Sequence, residues 1–73
     1  MPSSVRVNGA AIRELRERKG IERREMARLI GVRKEQVYVI EVQRQLTSAT
    51  TLRRIAAVLG VQPEELSLPK VAS

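Results

Sequence analysis

Apolar residues fall along the chain in short clusters at helical spacing. Met26, Ala27, Leu29 and Ile30 gather on one face of a predicted helix, and Val37 and Ile40 do so after the Gly31-Val32 pair. Ahead of them, Ile12 and Leu15 form the inward face of a first helix over about Gly9 to Lys19, with Ala11 and the stem of Arg16 alongside. Asn8 suits the N-cap of that helix, Gly20 suits its end, and Ile21 fills the gap below the next element. Leu52, Ile55, Ala56 and Leu59 recur at i, i+3, i+4 and i+7, which predicts a helix from about Ala49 to Leu59, capped by Ser48 and closed by Gly60. Pro63 followed by Glu64 and Glu65 starts one more helical turn, ending near Leu66.

Between the first and fourth helices, two short helices are joined across Gly31-Val32. They run over about Arg23 to Ile30 and about Arg33 to Val42. An apolar stripe on each and a tight Gly-containing turn is the sequence pattern of a helix-turn-helix. The outer face of the second would then carry Lys34, Glu35, Tyr38, Val39 and Val42. Gln43 to Thr47 reads as a polar connector with Leu46 tucked inward. Val5-Arg6-Val7 alternates like a strand but is too short to decide, so residues 1–7 are expected to form a frayed, flexible arm. Ser67 to Ser73 reads as loose chain. The expected organisation is an arm over 1–7, one domain over 8–68 and a tail over 69–73. The fold class is all-α, a compact five-helix bundle.

Composition narrows the function. The 73 residues contain no Cys, His, Trp or Phe, and the net charge is +6. No disulfide or thiolate metal site is available, and the commonest general base is missing. With no Gly-rich phosphate loop and no carboxylate cluster either, the chain is not expected to be an enzyme, and no cofactor or metal is implied. A basic domain this small points to a polyanion, nucleic acid before membrane. No apolar run approaches the ~20 residues that span a bilayer, and basic residues interrupt the apolar faces that a membrane surface would need. A cytoplasmic, nucleoid-associated protein is expected.

The stretches Ile12 to Ile21 (I-R-E-L-R-E-R-K-G-I), Glu25 to Val32 (E-M-A-R-L-I-G-V), Val37, Ile40-Glu41, Thr51 to Val61 (T-L-R-R-I-A-A-V-L-G-V) and Glu64 to Leu66 occur in one order and spacing. In these the chain resembles the Cro/CI-type (XRE-like) helix-turn-helix family, over roughly Asn8 to Leu68. The resemblance implies a lambda-repressor-like fold whose third helix enters the major groove of double-stranded DNA, usually as a homodimer on a two-fold site. It also implies that Arg16 pairs with Glu41. A carboxylate on an otherwise apolar helix end needs a partner in any case, and a bidentate arginine suits it. Glu41 is therefore read as structural.

The chain departs from the family pattern in three ways. Glu22 and Arg23 stand where Ser or Thr and then Gln are common, Gln43 stands where a Gly commonly follows the third helix, and the outer face of that helix is unusually apolar. Without a Gly, the path of the connector is open.

Within that frame Arg23, Arg24, Arg33, Arg44 and Ser48 are expected at phosphates, where helix N-termini already favour anions. Lys34 suits guanine O6/N7, Glu35 cytosine N4, Val39 a thymine methyl, and Tyr38 a phosphate or a base. Glu35 has an alternative role, since an acid in the first turn stabilises a helix regardless of function. The expected function is a repressor-like, sequence-specific transcriptional regulator. The competing reading is a protein-interaction module, such as an antitoxin or a transcription adaptor, using Tyr38, Val39 and Val42 toward a protein partner. If the chain dimerises, its contact is expected on the fifth helix, on Leu66 to Val71, or on Val5-Arg6-Val7.

Overall fold

The computed structural model describes residues 4–68. Five α-helices enclose one apolar core: α1 (Gly9–Arg18), α2 (Arg23–Ile30), α3 (Lys34–Tyr38), α4 (Ala49–Leu59) and α5 (Pro63–Leu66). Their starts are set by local chemistry. The Asn8 side chain accepts from the Ala11 N–H, the Ser48 hydroxyl accepts from Thr51, and the Glu65 carboxylate reaches back to the Gln62 N–H at 2.8 Å. Helix α2 ends where Gly31 takes a left-handed φ of 77°, and the N–H groups of Gly31 and Val32 both donate to the Ala27 carbonyl at 2.9 Å. That turn leads the chain directly into α3.

The core lies where the helical stripes converge. Ile12, Met26, Ile30, Ile40, Ile55 and Leu66 are each about fully buried. Burial of a side chain this size contributes roughly 1.5–3 kcal/mol. Leu29, expected inside with its neighbours, is 45% exposed. Met26, Ala27 and Ile30 already fill the narrow inward stripe of an eight-residue helix, so Leu29 falls at its flank.

The fold is mostly helical rather than strictly all-α. Ser4–Arg6 (β1) and Leu46–Ser48 (β2) pair antiparallel, Ser4 opposite Ser48, Val5 opposite Thr47 and Arg6 opposite Leu46. The stretch expected as a frayed arm is thus held, from Ser4 onward, against the connector. Its partner is forty or more residues away in sequence, out of reach of any local pattern. Val7 then bridges to Ser67, and the Leu68 N–H donates to Arg6 at 2.9 Å, so the start of the expected loose tail is tied down as well. Val7 and Leu66, considered above for a dimer contact, are buried within one copy and unavailable for it. Residues 1–3 of the expected arm and 69–73 of the tail lie outside the described residues.

The third helix also differs from its expected span. Arg33 is its N-cap rather than its first residue, and after Tyr38 it widens into a π-helical turn, Val39–Gln43. The Val39 carbonyl accepts from Arg44 at 2.8 Å and from Gln45 at 3.2 Å. In place of a glycine at Gln43, the left-handed residue is Gln45, with φ 54°. Such a conformation costs a side-chain-bearing residue roughly 1–2 kcal/mol. Gln45 is held there by its carbonyl, which accepts from Val7 at 2.9 Å, and by its side-chain oxygen, which accepts from Gly9 at 3.4 Å. In the connector that follows, Leu46 is half-buried and Thr47 is buried.

Candidate nucleic-acid interface

Glu41 sits on the π-helical turn, with its carboxylate wholly buried. Arg16 of α1 approaches it edge-on, Nε donating to one oxygen at 2.7 Å and Nη2 to the other at 3.2 Å. The remaining Arg16 nitrogen, Nη1, donates to the Ile21 carbonyl at 2.7 Å. A second arginine joins them: Arg23 Nε donates to Glu41 at 3.2 Å from the first residue of α2. The carboxylate therefore has three charge-assisted hydrogen bonds, which meets the condition for holding a charge in a low-dielectric interior. Three elements converge on this one group, and it fixes how α3 lies against α1 and α2.

From the same anchor Arg23 turns its guanidinium over the ring of Tyr38, 5.0 Å from the centroid. Arg23 was expected as a surface phosphate contact. Its side chain is 31% exposed, with the Nε committed to the interior ion pair.

The exposed side of α3 is bordered by two grooves. One, between α3 and the starts of α2 and α1, brings together Arg23, Arg24, Lys34, Glu35, Tyr38 and Val39, all named above as candidates. The other, between α3 and β2, brings Arg44 and Ser48 to the opposite side of Val39. Arg33 is exposed at the head of α3, in a shallower groove shared with Val32, Glu35, Gln36 and Val39. The Ser48 hydroxyl is already engaged as the cap of α4. Val42 does not share the groove of Tyr38 and Val39. The wide turn rotates it toward Ala10, Arg13 and Gln45 on the α1 side, which divides the expected apolar strip.

Several further groove residues escaped the sequence reading, Gln36, Gln43 and Ser4 among them. Gln36 lies three residues before Val39 and so on the same face, a spacing that marks it in sequence. Gln43 lines both grooves, and Ser4 reaches the second from β1. These two positions depend on the π-helical turn and on the strand pairing, for which the sequence carries no local signal.

A helix presented between two short elements, with cationic side chains on either flank, is compatible with a polyanion, and similarity to known regulators makes the chain the DNA-binding domain of a transcription regulator. The sequence model described as helix-turn-helix matches residues 12–66, and the chain belongs to that family, in its Cro/CI-type branch. No curated protein sequence matches the chain.

Among solved structures, it is similar to the restriction-modification controller protein C.AhdI from Aeromonas hydrophila, with 30% identity and a TM-score of 0.72 over 78% of this chain and 86% of that one. It is similar to the master regulator for biofilm formation SinR in complex with DNA, with 32% identity and a TM-score of 0.70 over 77% of this chain and 90% of that one. The N-terminal DNA-binding domain of SinR from Bacillus subtilis gives 30% identity and a TM-score of 0.71 over 90% and 97%. Among the described residues, no helix is long and apolar enough to cross a membrane.

Proposed function

We propose that this domain reads sequence in double-stranded DNA by laying α3 and its π-helical extension in the major groove, as a repressor-like regulator that binds as a homodimer. The observation that carries this reading is the flanking of α3. Lys34, Glu35, Tyr38 and Val39 line a groove with Arg23 and Arg24, and Arg44 lies beyond Val39 on the other side. A helix in the major groove lies between two phosphate strands, so cationic groups belong on both sides of it. The similarity to SinR, whose structure is of a complex with DNA, supports the same polyanion.

In this arrangement Lys34 donates to guanine and Val39 packs on a thymine methyl, with Glu35 accepting from cytosine. Arg23, Arg24, Arg33 and Arg44 meet phosphates, and Ser48 adds the N-terminus of α4. One copy offers few base contacts, so a two-fold site and a second copy supply the needed discrimination.

Selection of bound duplexes from a random pool, at two salt concentrations, tests the reading. An enriched two-fold motif that relaxes in Lys34→Ala supports it. Strongly salt-dependent binding with no motif would make the domain a non-specific DNA binder. Absence of binding by folded protein would pass α3 to a protein partner, engaged through exposed residues such as Tyr38 and Val42.

A further inference from the structure

Arg23 uses each part of its guanidinium for a different purpose. Its Nε edge is fixed to Glu41 at 3.2 Å, and its planar face covers the Tyr38 ring at 5.0 Å. Its Nη1 and Nη2 have no protein hydrogen bond among the described residues, and the guanidinium lines the groove that also holds Arg24 and Lys34. The anchor is rigid, because Glu41 is wholly buried and gripped on both oxygens by Arg16. Tyr38, by contrast, is 41% exposed on a short helix. An exposed side chain of this kind ordinarily exchanges rotamers on the picosecond to nanosecond scale. A side chain that recognises a base has to be held close to its productive geometry by neighbours that are themselves locked.

We propose that Arg23 is a positioning residue for DNA recognition: anchored on Glu41 and laid over Tyr38, it fixes the orientation in which Tyr38 meets the duplex, and so makes Tyr38 a determinant of sequence preference. The inference rests on the reading of α3 as the DNA-reading helix. It adds a coupling, in which one guanidinium joins the interior ion pair to the reading surface. A phosphate drawn to the free nitrogens of Arg23 would meet a group that already holds Tyr38 in place, so backbone contact and base contact are made together. Lysine cannot substitute, since an ammonium has neither an Nε edge for Glu41 nor a plane to lie on the ring.

Tyr38 is the only aromatic residue in the sequence, so the near-ultraviolet circular dichroism of the whole protein reports the order of this one ring. Wild type, Arg23→Lys, Arg23→Gln and Tyr38→Ala would be compared by that signal, by thermal melting and by selection of bound duplexes. Glu41 keeps both Arg16 bonds in the Arg23 variants, so they should melt close to wild type. The expected result is loss of most of the tyrosine signal in free Arg23→Lys and Arg23→Gln. In the duplex selection, discrimination should fall about tenfold, the size of one mismatched pair, at the same base positions that Tyr38→Ala relaxes.

An unchanged tyrosine signal overturns the proposal. So does a uniform loss of affinity with the motif intact, which would leave Arg23 a simple phosphate contact, or a large fall in melting temperature in both Arg23 variants, which would make it structural. Failure of wild type to enrich any sequence overturns the DNA reading itself, and the proposal with it; the wild-type sample alone reveals that case.

Discussion

The backbone of Gly9, at the first turn of α1, lies directly against the carbonyl of Glu41. A Cβ built on Gly9 would overlap that carbonyl oxygen and its carbon, both of them main-chain atoms that cannot rotate aside. The residue that carries the buried carboxylate is therefore located twice, by Arg16 at its side chain and by Gly9 at its backbone.

Gly9→Ala should destabilise the domain by about 1–3 kcal/mol, the usual range for overpacking. For a domain of this size each kcal/mol lowers the melting temperature by roughly 4–8 °C. Gly20→Ala is the control. Its φ is 70° but nothing lies within 4 Å of a Cβ there, so only the left-handed strain of roughly 1–2 kcal/mol applies. Thermal denaturation of the two variants should rank Gly9→Ala as the more damaging, and equal losses would contradict the close approach.

Glu41→Ala leaves Arg16 buried without its counter-charge. The expected loss is about 3–5 kcal/mol, a large share of the stability of a small domain. Overall DNA affinity should fall only as far as the protein unfolds, while the folded fraction, with Arg23 no longer anchored, should relax its preference at the positions that Tyr38 reads. A variant that melts like wild type yet no longer binds would instead make Glu41 a direct DNA contact.

The separation of α1, α2 and α4 was readable because each has a period and a cap of its own. The bounds of α2 and α4 coincide with their apolar stripes and the glycines that follow them. A carboxylate on an apolar helix end calls for a cation, and the resemblance to the Cro/CI-type family pointed to Arg16 as that cation. The second arginine on Glu41 was not readable, because Arg23 at the head of α2 is equally at home in solvent. The π-helical turn and the β1–β2 pairing were likewise hidden. Both come from contacts between segments distant in sequence, where Gln45, Val7 and Gly9 satisfy one another.

Val7→Ala should cost about 2 kcal/mol, since Val7 is wholly buried although it lies outside every helix. Leu29→Ala, at a larger residue within a helix, should change stability by no more than about 0.5 kcal/mol, because Leu29 is 45% exposed. Chemical denaturation of the pair checks both, and the reverse order would contradict the observed burial.

Arg44→Ala and Lys34→Ala should differ in kind. Loss of a phosphate contact weakens binding to all duplexes and lowers the salt slope by about 1, whereas loss of a base contact costs about 1–3 kcal/mol at one position and relaxes preference there. Titrations against a selected and an unrelated duplex at several salt concentrations separate the two. Identical behaviour of the variants would remove the distinction between flanking and reading residues.

The bridge between Val7 and Ser67, with Leu68 bonded to Arg6, closes the described chain into a near ring. The two ends of the described chain therefore lie side by side, the arrangement in which new termini at an exposed turn are tolerated. A short covalent link across the bridge would permit a new opening elsewhere, such as the exposed Gly60 turn, without parting α2 from α3. Connectivity and the packing of α3 against α2 are thus separable properties of this domain.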